Sequence, residues 1–132
     1  MTKTILIADG DSDVREQLKW CLRNAGYHVV TAQDRFETMT ALMSQRIDLL
    51  LLDAAMAGPE SNAVLQQVSP GGQFDRTPIL ILAESSDQVP AELAAVVKPI
   101  QPRQLVEIVS GVVGAPGRGR PQWAAAGSDK DV

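Results

Sequence analysis

One cysteine, Cys21, and one histidine, His28, are all that this 132-residue chain offers of thiol and imidazole chemistry. A lone cysteine excludes an internal disulfide, and a lone histidine leaves no material for a zinc site or a histidine-based catalytic triad. Cys21 therefore reads as a small buried apolar residue. Positive charge is also short: 12 Lys plus Arg stand against 16 Asp plus Glu, a net charge of -4. That balance argues against broad binding to phosphate backbones, so direct nucleic-acid contact is not expected. No apolar run approaches the length that spans a bilayer, and Met1-Thr2-Lys3 leads into a strand-like run rather than a signal sequence. A cytoplasmic protein with no membrane association is expected.

What the chain does have is apolar material, 45% of its residues, enough for one globular domain. Short apolar runs at 5–8, 27–32, 49–52, 79–83 and 94–97 predict five strands. Between the first two, Val14, Leu18, Cys21, Leu22 and Ala25 form a helical stripe, opened by Asp11 or Ser12 as N-cap and closed by Gly26. Phe36, Met39 and Met43 mark a second helix over about 35–45. A shorter third helix covers 62–68, before Pro70-Gly71-Gly72, and a last one covers 103–113, with Leu105, Ile108, Val109 and Val112 at core spacing. Strands alternating with helices predict an α/β fold: a doubly wound parallel sheet with helices on both faces. Two places break the rhythm. The crossover between the fourth strand and Lys98 has barely the length for a helix and contains Pro90, so a shortened fourth helix is expected there. After residues 1–113, the segment 114–132 is rich in Gly, Ala and Pro and reads as a flexible or docked tail. Its Trp123 is either an anchor on this domain or a neighbour, or one aromatic in a mobile segment.

Open parallel sheets bind ligands beyond the carboxyl ends of their strands, where strand order reverses. Strand one ends in Asp9, followed by Gly10, Asp11 and Asp13; strand three ends in Asp53; strand five runs into Lys98-Pro99. If strands one and three are neighbours, Asp9 and Asp53 face each other, and two close carboxylates call for a cation between them. Mg²⁺ suits hard oxygen ligands of this kind, and Lys98 would add a fixed positive charge for phosphoryl oxygens. Chemically the set describes an aspartyl nucleophile that accepts a phosphoryl group.

Taken in order and spacing, "ILIADGDSDVR" (5–15), "DLLLLDAAMAGPE" (48–60), "TPILILAES" (77–85) and "VKPI" (97–100) resemble a response-regulator receiver domain of the CheY-like type, over about residues 4–113. The resemblance implies strand order 2-1-3-4-5 and Asp53 as phosphoacceptor. It further implies Asp9 in the acidic metal pocket, the Ala55 backbone carbonyl as a Mg²⁺ ligand, Lys98 on the phosphoryl group and a cis Lys98-Pro99 bond. It also implies a histidine kinase or phosphotransfer protein as donor, a downstream protein partner, and no enzymatic activity beyond self-catalysed phosphotransfer to Asp53. Three positions depart from the family pattern. Gly10 stands where a second acid is usual, which leaves Asp11 as a further metal candidate because glycine frees the backbone. Ala83 replaces the expected Ser or Thr at the end of strand four, with Ser85 nearby and Glu84 between them, and Ala95 replaces the aromatic switch residue. These make the chain an atypical receiver that acts through protein contacts. The alternative is a phosphorylation-independent pseudo-receiver. The helix at 105–113 and the stunted crossover suggest a homodimer surface, although core packing explains the same apolar residues. A haloacid-dehalogenase-type phosphatase, with Asp9 as nucleophile and Asp11 as acid, shares the "ILIADGDS" opening but leaves Asp53 unexplained. A flavin-binding flavodoxin-like domain is disfavoured by carboxylates where its first loop needs hydroxyls and glycines.

Overall fold

The computed structural model describes residues 2–56, 62–68, 71–74, 76–85, 89 and 93–115. In chain order it contains β1 (Thr4–Ala8), α1 (Ser12–Asn24), β2 (His28–Ala32), α2 (Arg35–Ser44), β3 (Leu49–Asp53), α3 (Asn62–Val68), β4 (Ile79–Ala83), β5 (Ala95–Val97) and α4 (Pro102–Val113). The five strands form one parallel sheet, as the sequence predicts, in the order β2-β1-β3-β4-β5 that the resemblance implies. Both faces are covered. Leu49 and Leu51 of β3 point into a core shared with α1 and α4, while Leu50 and Leu52 point into a second core shared with α2 and α3. A strand buried on both sides needs an unbroken apolar run rather than alternation, which is why β3 is four leucines long before its acid.

Local chemistry sets the helix ends. The Asp11 side chain accepts hydrogen bonds from the Asp13 and Val14 amides at the start of α1, so Asp11 is the N-cap. Gly26 follows the end of α1 at φ 106°, a backbone conformation that glycine adopts without steric cost. Asp34 caps α2 by accepting from the Glu37 amide, and Pro102 opens α4. Tyr27 donates its hydroxyl to the Gly114 carbonyl at 2.9 Å, tying the end of α4 to the start of β2.

α2 departs from its sequence stripe. Phe36, Met39 and Met43 mark the helix, yet the residues it buries are Thr38, Ala41 and Leu42. Phe36 and Met43 are exposed, and Met39 only flanks the core. On that inner face the Thr38 hydroxyl donates to the Asp34 carbonyl, which lets a polar residue be buried without an unmet donor. In α4, Leu105, Val106 and Val109 are buried in the core and Ile108 packs against it, whereas Val112, which its spacing assigned to the core, is 45% exposed. The shortened fourth helix falls on a connection whose residues 86–88 and 90–92 lie outside the described residues. The tail from 116 onwards, including Trp123, lies outside them too. Among the described residues, no helix is long and apolar enough to cross a membrane.

Candidate functional site

Strand register builds the site. Ala8 of β1 is level with Leu52 of β3, so the next residue of each strand, Asp9 and Asp53, arrives at the same edge of the sheet. Ala83 of β4 is level with Val97 of β5, and the Lys98 amide continues the ladder by donating to the Ala83 carbonyl at 2.7 Å. The Lys98-Pro99 bond that follows is cis, as the resemblance implies.

These three side chains meet. The Lys98 ammonium donates to Asp9 Oδ2 at 2.9 Å and to Asp53 Oδ1 at 3.2 Å. Asp9 is 1% exposed, whereas the Asp53 and Lys98 side chains keep 16% and 15% of their surface open to solvent. The second Asp9 oxygen accepts from the Asp11 amide at 2.9 Å, and its backbone carbonyl accepts from Arg15 Nη1 at 2.7 Å. Asp9 is thus satisfied on all sides and fixed, while Asp53 is the carboxylate of the two that keeps an open side. Burial pushes the Lys98 ammonium toward a lower pKa, but its hydrogen bonds and charge attraction to Asp9 and Asp53 outweigh that and hold it above the usual lysine value.

The remaining sequence candidates sort themselves by geometry. Asp11 spends one carboxylate oxygen on two amides at the start of α1. Ala55 sits in the turn that leaves β3, directly after Asp53 and Ala54. Ala83 is buried at the end of β4, so a methyl group occupies the place where a hydroxyl is expected, and Glu84, Ser85 and Ala95 are exposed. Cys21 is buried, its thiol pKa is raised by desolvation, and it donates to the Pro102 carbonyl at 3.4 Å, which suits packing and not nucleophilic chemistry. Arg15 was not singled out from the sequence. Its signal was its place one turn into α1, from which it reaches back to the strand end that precedes the helix.

For a divalent cation, two facing carboxylates and a neighbouring backbone carbonyl form a donor set of the kind magnesium takes, completed by water or phosphate. The set fits in reduced form. Among the described residues no group of three or more His, Cys, Asp and Glu side chains converges as a metal cluster. The gap left by Gly10 is chemical and not steric: a side chain there would meet only the Gln33 carbonyl, at 3.9 Å.

The response regulator receiver domain model matches residues 5–110, which contain every strand-end residue just described. The chain belongs to the response regulator receiver domain family. As a receiver it is a module of two-component signalling, a class of domains that are typically signalling modules and not enzymes. It is 27% identical over 124 residues to the phosphate regulon transcriptional regulatory protein PhoB of Pseudomonas aeruginosa, an alignment spanning 89% of this chain and 54% of that protein. It is 38% identical over 82 residues to the response regulator MprA of Mycobacterium tuberculosis, spanning 62% of this chain and 35% of that protein. The receiver therefore spans about half the length, or less, of these curated relatives. Among solved structures, the chemotaxis response regulator CheY4 of Vibrio cholerae superposes with a TM-score of 0.73 at 25% identity, covering 85% of this chain and 99% of that one. The response regulator TrrA of Thermotoga maritima, solved in complex with Mg²⁺-BeF, gives 0.71 at 28% identity, covering 83% and 98%.

Proposed function

We propose that this receiver accepts a phosphoryl group on Asp53 from a histidine kinase or phosphotransfer protein and passes the signal to a downstream protein by contact. The convergence of the Asp9 and Asp53 carboxylates on the Lys98 ammonium carries this reading. An Asp53 oxygen forms the bond to phosphorus as the bond from phosphorus to the donor's imidazole nitrogen breaks, leaving an acyl phosphate. Lys98, already at hydrogen-bond distance from Asp53, donates to the phosphoryl oxygens. Asp9, Asp53 and the Ala55 carbonyl would hold Mg²⁺, which supplies charge neutralisation for the transferred group. A groove of about 770 Å³ opens beside Lys98, lined by Val14, Leu18, Trp20, Ile100 and Leu105, and gives a protein donor an apolar place to dock. Residues 1–113 act as the receiver unit and 114–132 as an appended segment.

Gly10, Ala83 and Ala95 favour a second reading, a pseudo-receiver that signals without phosphate. Fewer groups distinguish the phosphorylated from the free state, so phosphate has less with which to bias two conformations. One experiment separates the readings: incubate the protein with Mg²⁺ and acetyl phosphate, or with beryllofluoride, and follow intact mass and tryptophan fluorescence beside Asp53→Asn. A single phosphoryl adduct that Asp53→Asn lacks is expected. The absence of both adduct and fluorescence change at millimolar Mg²⁺ leaves the pseudo-receiver, and an adduct on Asp9 revives the phosphatase reading. Because a Cβ at position 10 meets only the Gln33 carbonyl at an ordinary contact distance of 3.9 Å, Gly10→Asp is expected to tighten Mg²⁺ binding by about tenfold through one added carboxylate, read by titration of fluorescence. Unchanged affinity would show that residue 10 does not face the cation.

A further inference from the structure

Helix α2 is apolar on two opposite faces. The inner face buries Thr38, Ala41 and Leu42. Phe36 and Met43, 79% and 62% exposed, stand on the other side. At 3.6 residues per turn they lie within about 20° of each other around the helix axis and roughly opposite the centre of the buried trio. A one-sided surface helix puts polar residues on that crest, whereas an apolar crest is suited to being covered.

We propose that a second copy of this chain covers it, the two α2 helices packing antiparallel about a two-fold axis between Met39 and Thr40. The seven-residue spacing makes the stripe self-complementary: Phe36 of each copy falls on the partner copy's Met43, twice per dimer, an aromatic-thioether contact of a favourable kind. Charge selects the direction. The N-terminal end of α2 is acidic on balance, with Asp34 and Glu37 against Arg35, while Arg46 lies just past the C-terminal end, its side chain 84% exposed although its Nε pairs with Asp48 at 3.2 Å. Antiparallel packing brings each Arg46 to the partner copy's acidic end and opposes the helix dipoles; parallel packing would align like ends. Two helices of this length bury less than the ~1,600 Å² of a standard interface, so the dimer is weak and dependent on concentration. Since α2 lies across the sheet from α1 and α4, pairing leaves the groove beside Lys98 open.

Sedimentation velocity of the full chain tests this over about 10 to 500 µM, a range suited to a small interface. The weight-average sedimentation coefficient is expected to climb toward the dimer value, and the double variant Phe36→Glu/Met43→Glu to stay monomeric throughout with an unchanged melting temperature. Direction is read separately by mixing Phe36→Cys with Met43→Cys under mild oxidant and mapping disulfides. The mixed 36–43 link should exceed the 36–36 and 43–43 links. A monomer at every concentration, a dimer indifferent to the two glutamates, or a dominant 36–36 link overturns the proposal.

Discussion

Lys98→Met should lower the unfolding free energy by about 3 kcal/mol, the range for stripping one partner from a buried ion pair. The substitution keeps a similar apolar stem but leaves Asp9, sealed from solvent, facing Asp53 with no cation between them. The residual solvent access of Lys98 and Asp53 places the value at the lower end of the range. A urea titration in a metal-free buffer measures it. The double variant Lys98→Met/Asp53→Asn should recover part of the loss, because removing one of two opposed carboxylates relieves the repulsion. A Lys98→Met loss below about 0.5 kcal/mol, the scatter of ordinary surface substitutions, would mean the triad is held together by something else. The pH dependence follows from the raised ammonium. A group whose folded pKa is raised contributes fully below its unfolded value, near 10.5 for lysine, and loses that contribution as pH rises through the folded value. The stability gap between the parent and Lys98→Met is therefore expected to be flat from neutral pH to the ordinary lysine range and to close above it.

Leu51→Ala should cost about 4 kcal/mol, in the upper half of the range for a fully buried leucine. Leu51 is fully buried on the central strand, level with Ile7 of β1 and Leu80 of β4, and points into the core that α1 and α4 cover. Its neighbours on both sides are held by ladder hydrogen bonds, so the sheet cannot collapse into the void, and an uncollapsed cavity is the costly kind. Against the 5–15 kcal/mol typical of a domain, roughly half of the stability would go, visible as a shifted urea midpoint. Phe36→Ala in dilute solution is the contrast: with its ring already in water, it should change stability by no more than about 0.5 kcal/mol.

Most of the sheet was legible from composition by position. Runs such as Leu49–Asp53 and Ile79–Ala83 are apolar without alternation, the mark of strands covered on both faces, and turn or capping residues bound them. Edges were less legible. Tyr27 reads as strand but precedes β2, its amide donating instead to the Leu22 carbonyl near the end of α1 at 3.1 Å, and Ala94 precedes β5 although its carbonyl accepts from the Ile81 amide. Such one-residue shifts turn on which carbonyl an amide reaches, which apolar periodicity does not report. Asp11 was legible as a cap and as a metal candidate, and one carboxylate oxygen spent on the amides of Asp13 and Val14 separates those roles only in three dimensions.

Chemistry by itself named Asp9, Asp53 and Lys98, because an acid or an ammonium at the end of a buried strand is delivered to the sheet edge whatever the rest of the fold does. Which of the two acids is exposed was a matter of tertiary structure. Asp9 is sealed by Lys98, the Asp11 amide and Arg15 around its carboxylate and carbonyl, while Asp53 keeps an open side. The face of α2 was decided the same way. Sequence periodicity finds an apolar stripe at Phe36, Met39 and Met43, but a helix with two apolar faces has no unique inside until a sheet is laid against it. Packing against that sheet buried Thr38, Ala41 and Leu42 and left Phe36 and Met43 facing outward.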